Sequence, residues 1–246
     1  VYHRYMLGVY ELMERLLTEF PHVLFEGCSS GGGRFDAGML YYMPQSWCSD
    51  NTDAIERLEI QYGTSFGYPM SAVGAHVSAS PNHQTGRRTP FYTRGVVAMA
   101  GTFGYELDLN TLTDEEREMV REQVAFYKKN YDTINRGDYY RLTDPTKNTE
   151  FCAWEFVAQD QKKALLFGVI THVRSNIAMP VIRLKGLKPQ AKYRLLCKAE
   201  GVGNSEKAAK SLEGIYSGSL LMGAGLRIPN LRGDWPSFCV ELEEVQ

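Results

Sequence analysis

Apolar residues near the start of the chain fall three and four apart. Met6, Val9, Tyr10, Met13, Leu16, Leu17 and Phe20 predict an amphipathic helix over residues 5–20, ended by Pro21. Val23-Leu24-Phe25 reads as a short buried strand. Residues 37–42 fit a short helix and 45–49 the next strand, after which Thr52-Asp53 opens a helix to about residue 62. Small apolar residues over 70–78 predict a buried strand, 93–99 a helix, and 104–109 a further strand. Residues 112–130 form a long helix, which Thr113 opens with Glu116 three positions on, the signature of a capping box. A helix followed by four strand–helix repeats predicts a parallel sheet with crossover helices, yet four strands are too few to close a (β/α)8 barrel.

After Arg136-Gly137-Asp138 the pattern changes. Runs at 151–159, 163–171, 179–184, 193–199, 217–228 and 238–243 are strand-like and separated by Gly, Pro, Asn and Lys turns, which predicts an antiparallel sandwich. The expected fold class is therefore α/β followed by all-β, with the boundary between about residues 135 and 145.

Composition narrows the function classes. Apolar residues make up 43% of the chain, enough for a packed core, and no segment has the apolar length of a membrane span. A net charge of −2 gives no phosphate-binding surface, so no nucleic-acid partner is expected. Five cysteines, Cys28, Cys48, Cys152, Cys197 and Cys239, are odd in number, widely spaced and free of any C-x-x-C pair. That spacing argues against structural zinc and a disulfide framework, and fits a reducing compartment.

Two loops carry the candidate chemistry. Cys28-Ser29-Ser30-Gly31-Gly32-Gly33-Arg34 and Trp47-Cys48-Ser49-Asp50-Asn51-Thr52-Asp53 each follow an apolar stretch and precede a helix start, placing both at the carboxyl ends of strands. The glycines fit neither a P-loop, because Arg34-Phe35 stands where lysine and a hydroxyl are needed, nor the G-x-G-x-x-G spacing of a dinucleotide site. They mark either a tight turn or a loop whose amides and Cys28 thiol approach a ligand. Asp50 reads either as a helix cap or as a general acid beside the apolar ring of Trp47, with Asp53 the better cap of the two. Ile55 at the sixth position excludes an EF-hand loop, and His76 and His83, seven apart with no acidic cluster, make a poor metal site.

Four ordered motifs carry a specific resemblance. They are Phe25-Glu26-Gly27-Cys28-Ser29-Ser30-Gly31-Gly32-Gly33-Arg34-Phe35-Asp36; Ser49-Asp50-Asn51-Thr52-Asp53-Ala54-Ile55-Glu56-Arg57; Gly74-Ala75-His76-Val77-Ser78 with Pro81-Asn82-His83-Gln84; and Gly101-Thr102-Phe103-Gly104-Tyr105-Glu106-Leu107-Asp108-Leu109. Together they closely resemble the family 36 α-galactosidases, over nearly the whole chain. The resemblance implies a retaining glycosidase that removes terminal α-galactose from melibiose, raffinose and related α-galactoside oligosaccharides. It implies that residues 1–138 are the C-terminal half of a (β/α)8 barrel, about strands 5–8, and that residues 139–246 are a C-terminal antiparallel β-sandwich. By the family's S-D-[DN]-T-D motif Asp50 is the acid/base, and by its cysteine-and-glycine loop Cys28, Ser29, Ser30 and Gly31 contact the sugar.

The family's nucleophile lies in a K-W-D-x-N strand, a motif this chain does not contain, so the resemblance implies a fragment inactive alone, with unpaired strand edges. It further implies no cofactor or metal, a cytoplasmic location, and a homo-oligomer, often a tetramer. Cys48 and Ser30 depart from residues common in the family at those positions. Two other functions share these motifs: a non-catalytic galactose-binding fragment, and a galactosyl-transferring relative such as a raffinose or stachyose synthase.

Overall fold

Residues 1–148, 150–175 and 180–245 are described by the structure, a computed structural model. Strands β1 (Glu26–Gly27), β2 (Gln45–Trp47), β3 (Val73–Ser78) and β4 (Thr102–Glu106) form one sheet in chain order, each pair parallel. Parallel neighbours need crossover connections. Helices α2 (Ala37–Tyr42), α3 (Ala54–Thr64) and α4 (Phe91–Ala98) supply them, after α1 (Tyr2–Glu19) and before α5 (Asp114–Lys129) and α6 (Tyr131–Arg136). Local chemistry sets several of these boundaries. Asp36 caps α2 by accepting from the Met39 amide, and Asp53 caps α3. Thr113 and Glu116 close the expected capping box on α5, whose acidic first turn and basic last turn complement its dipole.

The amino-terminal end departs from expectation. None of α1 is buried; Tyr2, Tyr5, Leu7 and Leu12 along it are more than half exposed, and its contacts run to α2, where Tyr10 stacks on Tyr42 at 5.5 Å. The buried strand expected at residues 23–25 is not formed. Val23 and Leu24 are exposed, and the ladder begins only at Glu26, paired with Gln45. The reason is position: β1 is the edge strand and has a neighbour on one side only, so its apolar approach has nothing to pack against.

The second half is built around a six-stranded antiparallel sheet. In chain order its strands are β5 (Asp138–Arg141), β6 (Phe151–Val157), β7 (Lys163–Ile170), β9 (Lys192–Glu200), β10 (Gly214–Ser217) and β12 (Ser237–Val245), arranged β10-β9-β12-β7-β6-β5. A two-stranded sheet pairs β8 (Val181–Ile182) with β11 (Leu226–Arg227), and two short helices, α7 (Ser205–Lys210) and α8 (Gly218–Gly223), complete this half. The strand expected over 179–184 starts at Met179, outside the described residues.

Strands β6 and β7 are apolar at nearly every position because both faces of the sheet are covered. Cys152, Trp154, Phe156, Leu165, Phe167 and Val169 share one core with Tyr92, Val96, Val97, Tyr127 and Ile134 of the helical layer. The alternate residues Ala153, Val157, Ala164 and Leu166 join Leu195, Val240 and Leu242 in a second core, closed by Ile182, Leu184, Leu221 and Leu226. One sheet thus joins both halves of the chain. The single strand expected over 217–228 is instead β10, α8 and β11. Ser217 accepts from the Leu220 amide as a helix cap, Leu221 turns into the second core, and Gly225 at φ +85° ends the helix.

Glu155 sits on the second face of β6 among these apolar residues, fully buried. Its Oε2 accepts from the Lys185 amide at 2.9 Å, while Oε1 has no hydrogen-bond partner. Burial pushes its carboxyl up to about 8 from an ordinary 4.5, against the opposing pull of the Lys185 amide and charge. The folded carboxyl keeps its proton to higher pH than the unfolded one. Its contribution to stability is therefore full below about pH 4.5 and is lost as pH rises through about 8. Glu155→Gln should raise the urea midpoint at about pH 9 by the equivalent of ~1 kcal/mol or more, with little change at about pH 4.5. Equal shifts at both pH values would show that ionisation is not the cause.

Candidate active site

Because β1, β2 and β3 are parallel neighbours, the loops after them emerge on the same edge of the sheet. The glycine loop follows β1. Ser29, Ser30, Gly31 and Gly32 take φ values of +141°, +53°, +71° and +91°, a run of left-handed backbone that glycine tolerates and serine resists. Close approach explains the glycines. A Cβ on Gly31 would lie 2.6 Å from the Asp50 amide nitrogen, and one on Gly32 would lie 3.1 Å from the Cys48 carbonyl oxygen. The two loops the sequence singled out are therefore in backbone contact. Cys28 and Ser30 are exposed, and Ser29 accepts a hydrogen bond from Arg34 Nε at 3.0 Å.

The acid loop follows β2 and divides the work between its two aspartates. Asp53 is buried and spent on structure: it accepts from the Ile55 and Glu56 amides at 2.8 and 3.3 Å, from Arg87 Nη1 at 2.5 Å, and from the Thr85 hydroxyl. Burial pushes its carboxyl up, but the Thr85 and Arg87 hydrogen bonds and the two amides outweigh this and hold it below the ordinary carboxylate value. Asp50 is exposed, and its carboxylate has no hydrogen-bond or ion-pair partner among the described residues. Its backbone is held instead.

Three elements do the holding. Arg57, buried in α3, donates from Nε to the Asn51 carbonyl at 2.8 Å and from Nη2 to the Ser49 carbonyl at 2.9 Å, with Nη1 3.2 Å from Cys48 Sγ. Its guanidinium lies 3.9 Å from the Trp47 ring centre, and the His76 ring of β3 stacks on the same indole at 4.7 Å. From the loop after β3, Gln84 donates from Nε2 to the Asp50 carbonyl at 3.1 Å and accepts from the Thr52 amide at 3.0 Å, while Asn82 donates to the Thr52 hydroxyl. The glycine loop closes the third side.

Sequence reading placed the loops and the Asp53 cap but missed Arg57 and Gln84. An arginine at an apolar-face position of α3, four residues after its cap, was the available signal for Arg57; Gln84 had none. His76 faces Glu106 at 3.5 Å, and among the described residues no three His, Cys, Asp or Glu side chains converge to hold a metal. No described helix is long and apolar enough to cross a membrane. Two cavities of about 950 and 360 Å³ lie elsewhere, beside β8 and between α5 and β9.

Known proteins that resemble this chain are glycoside hydrolases. The Melibiase family profile matches residues 1–137, and that of the Glycosyl hydrolase family 36 C-terminal domain matches residues 151–242. The chain belongs to glycosyl hydrolase family 36. It is 52% identical over 98% of its length to the bifunctional alpha-galactosidase/sucrose kinase AgaSK of Mediterraneibacter gnavus, and 49% identical over 99% to alpha-galactosidase AgaA of Geobacillus stearothermophilus. It spans only 24% and 31% of those two proteins. The solved galactosidase domain of AgaSK superposes with a TM-score of 0.90 at 51% identity, and an AgaA variant in complex with raffinose does so at 0.89 and 47%; each match covers 99% of this chain and 32% of the other.

The contrast between the aspartates is measurable. Asp53→Ala removes a cap and the closer of Arg87's two carboxylate partners, so it should lower stability at neutral pH by about 2 kcal/mol. Because the folded carboxyl is held below its ordinary 3.8, that contribution is present at neutral pH and is lost as pH falls through the folded value. Asp50→Ala should change stability by less than about 0.5 kcal/mol. Urea unfolding of both variants checks this, and a large loss for Asp50→Ala would mean its carboxylate is a structural group.

Proposed function

We propose that this chain supplies the acid/base and part of the sugar pocket of an enzyme that hydrolyses terminal α-galactose from melibiose- and raffinose-type oligosaccharides with retention of configuration. The observation that carries the reading is the exposed Asp50 carboxylate, without a partner among the described residues, on a backbone held against the glycine loop in a family 36 chain. Support for the substrate class comes from relatives named alpha-galactosidases, including solved AgaA variants in complex with raffinose and with stachyose.

On this reading residues 1–138 are half of a (β/α)8 barrel and residues 139–246 its C-terminal sandwich. The uncovered apolar face of α1 and the open edge at β1 are where the remaining barrel strands pack. That remainder brings the nucleophilic carboxylate, about 5–5.5 Å from Asp50. The nucleophile attacks the anomeric carbon as the glycosidic bond breaks, and Asp50 passes its proton to the departing oxygen. Water then attacks the glycosyl-enzyme, giving its proton to Asp50 as the ester bond to the nucleophile breaks. Cys28, Ser29, Ser30 and the Gly31 amide bond the sugar hydroxyls, which reject a sugar of different hydroxyl pattern by leaving polar groups unpaired.

A carboxyl that donates its proton near neutrality needs a covered, charge-crowded surround. Asp50 is exposed on this chain, so closure of the site falls to the other half of the barrel and to the sugar itself.

The test uses a polypeptide in which this chain follows the family's nucleophile-bearing segment. Asp50→Ala should lower kcat/KM on raffinose by about 10²–10⁴-fold. A dinitrophenyl α-galactoside, whose leaving group needs no proton, should lose far less, and azide should restore turnover with α-galactosyl azide as product. Raffinose hydrolysis that survives the substitution removes Asp50 from this role.

A further inference from the structure

We infer that Gln84 is a positioning residue for the proton transfer, acting through the Asp50 backbone and not through the sugar; the inference rests on the acid/base role proposed for Asp50. Its carboxamide bridges the acid loop at two points, donating to the Asp50 carbonyl at 3.1 Å and accepting from the Thr52 amide at 3.0 Å. These contacts span Asn51 and fix the peptide planes that follow the Asp50 side chain.

The bridge comes from a separately built loop. Asn82, itself buried, accepts from the Gln84 and Thr85 amides at 2.9 and 3.1 Å, which sets the direction in which Gln84 leaves its backbone. Asn82 also donates to the Thr52 hydroxyl at 3.0 Å, and Arg87 and Thr85 of the same loop bind Asp53. The anchor at Asp53 is buried, whereas Gln84 is exposed and contributes to no apolar core. Its side chain can be removed without opening an apolar core. A primary carboxamide suits the task because its NH2 group donates and its carbonyl oxygen accepts in one plane, matching a carbonyl and an amide two residues apart.

Proton donation matters in proportion to how poor the leaving group is, so a misplaced acid has a signature that a general loss of structure lacks. In the polypeptide joined to the nucleophile-bearing segment, kcat/KM is measured for raffinose and for a dinitrophenyl α-galactoside, with galactose inhibition as a gauge of sugar binding. Asp50→Asn should lower the raffinose value by about 10²–10⁴-fold and the aryl value far less. Gln84→Ala should reproduce that selectivity on a smaller scale, about 10- to 100-fold on raffinose, with galactose inhibition unchanged within about 2-fold. Gln84→Glu keeps the acceptor for Thr52 but loses the donor to Asp50, and should match or exceed the alanine loss. Added to Asp50→Asn, Gln84→Ala should cost nothing further on raffinose.

Equal losses on both substrates for Asp50→Asn would overturn the acid/base role, and this inference with it. A selective Asp50→Asn effect beside a Gln84→Ala variant that is unchanged, equally impaired on both substrates, or weakened in galactose inhibition would overturn the positioning role alone.

Discussion

A buried guanidinium organises the edge of the sheet that carries the proposed site. Arg57 is nearly without solvent, and its charge is met by the carbonyls of Ser49 and Asn51 at 2.9 and 2.8 Å, by the Cys48 sulfur, and by the face of Trp47. Burying an arginine is costly unless its donors are satisfied. Here they are satisfied by the turn that carries Asp50, so folding α3 and shaping the acid loop are one event. The capping carboxylate of Asp53 secures the first turn of the helix that presents Arg57, and Arg57 in turn closes the loop that leads to Asp53.

The antiparallel half reaches this loop through α4. Thr93 is fully buried and donates to the Trp235 carbonyl at 2.7 Å, and its hydroxyl lies 2.8 Å from that of Ser237 at the start of β12. Tyr92 donates to the Lys198 carbonyl of β9. Arg87, at the approach to α4, lies 5.3 Å from the Trp235 ring while it pairs with Asp53. A continuous path of packed and hydrogen-bonded groups therefore runs from the six-stranded sheet to the base of the acid loop. The shared core of Trp154, Phe156 and Phe167 with Val96 and Tyr127 keeps the two ends of that path in fixed relation.

What could be read in advance was what depends on near neighbours in the chain. The capping box at Thr113, the cap at Asp53 and the helix over Ala37–Tyr42 need only a few adjacent residues, and all three were legible. The strand–helix alternation likewise announced the parallel sheet. Errors arose where a partner outside the local window decides. Val23 and Leu24 look like a buried strand but border a sheet edge, and residues 217–228 look like one strand until Ser217 caps a helix that Leu221 anchors. Asp53 is the better cap in sequence, but its further bonds to Arg87 and Thr85, more than thirty residues away, have no local signal. Gln84 is an ordinary polar loop residue until the fold sets it beside Asp50, 34 positions upstream.

The pattern of hydrogen bonds around Asp50 is itself selective. The Asn51 amide is taken by Ser49, the Thr52 amide by Gln84 and the Asp53 amide by Asn51, while Arg57 and Gln84 take the carbonyls of residues 49, 50 and 51. No bond in this set ends on the Asp50 carboxylate. On the acid/base role proposed for Asp50, internal donors to its carboxylate would favour the charged form and oppose reprotonation. Rigidity is therefore placed in the backbone and in Asp53, whose charge is fixed by Arg87 and two helix amides, while the Asp50 carboxylate has no bond among the described residues. The left-handed run from Ser29 to Gly32 completes this division: it lets a second loop lie against the Asp50 backbone, where a Cβ on Gly31 would stand 2.6 Å from the Asp50 amide nitrogen.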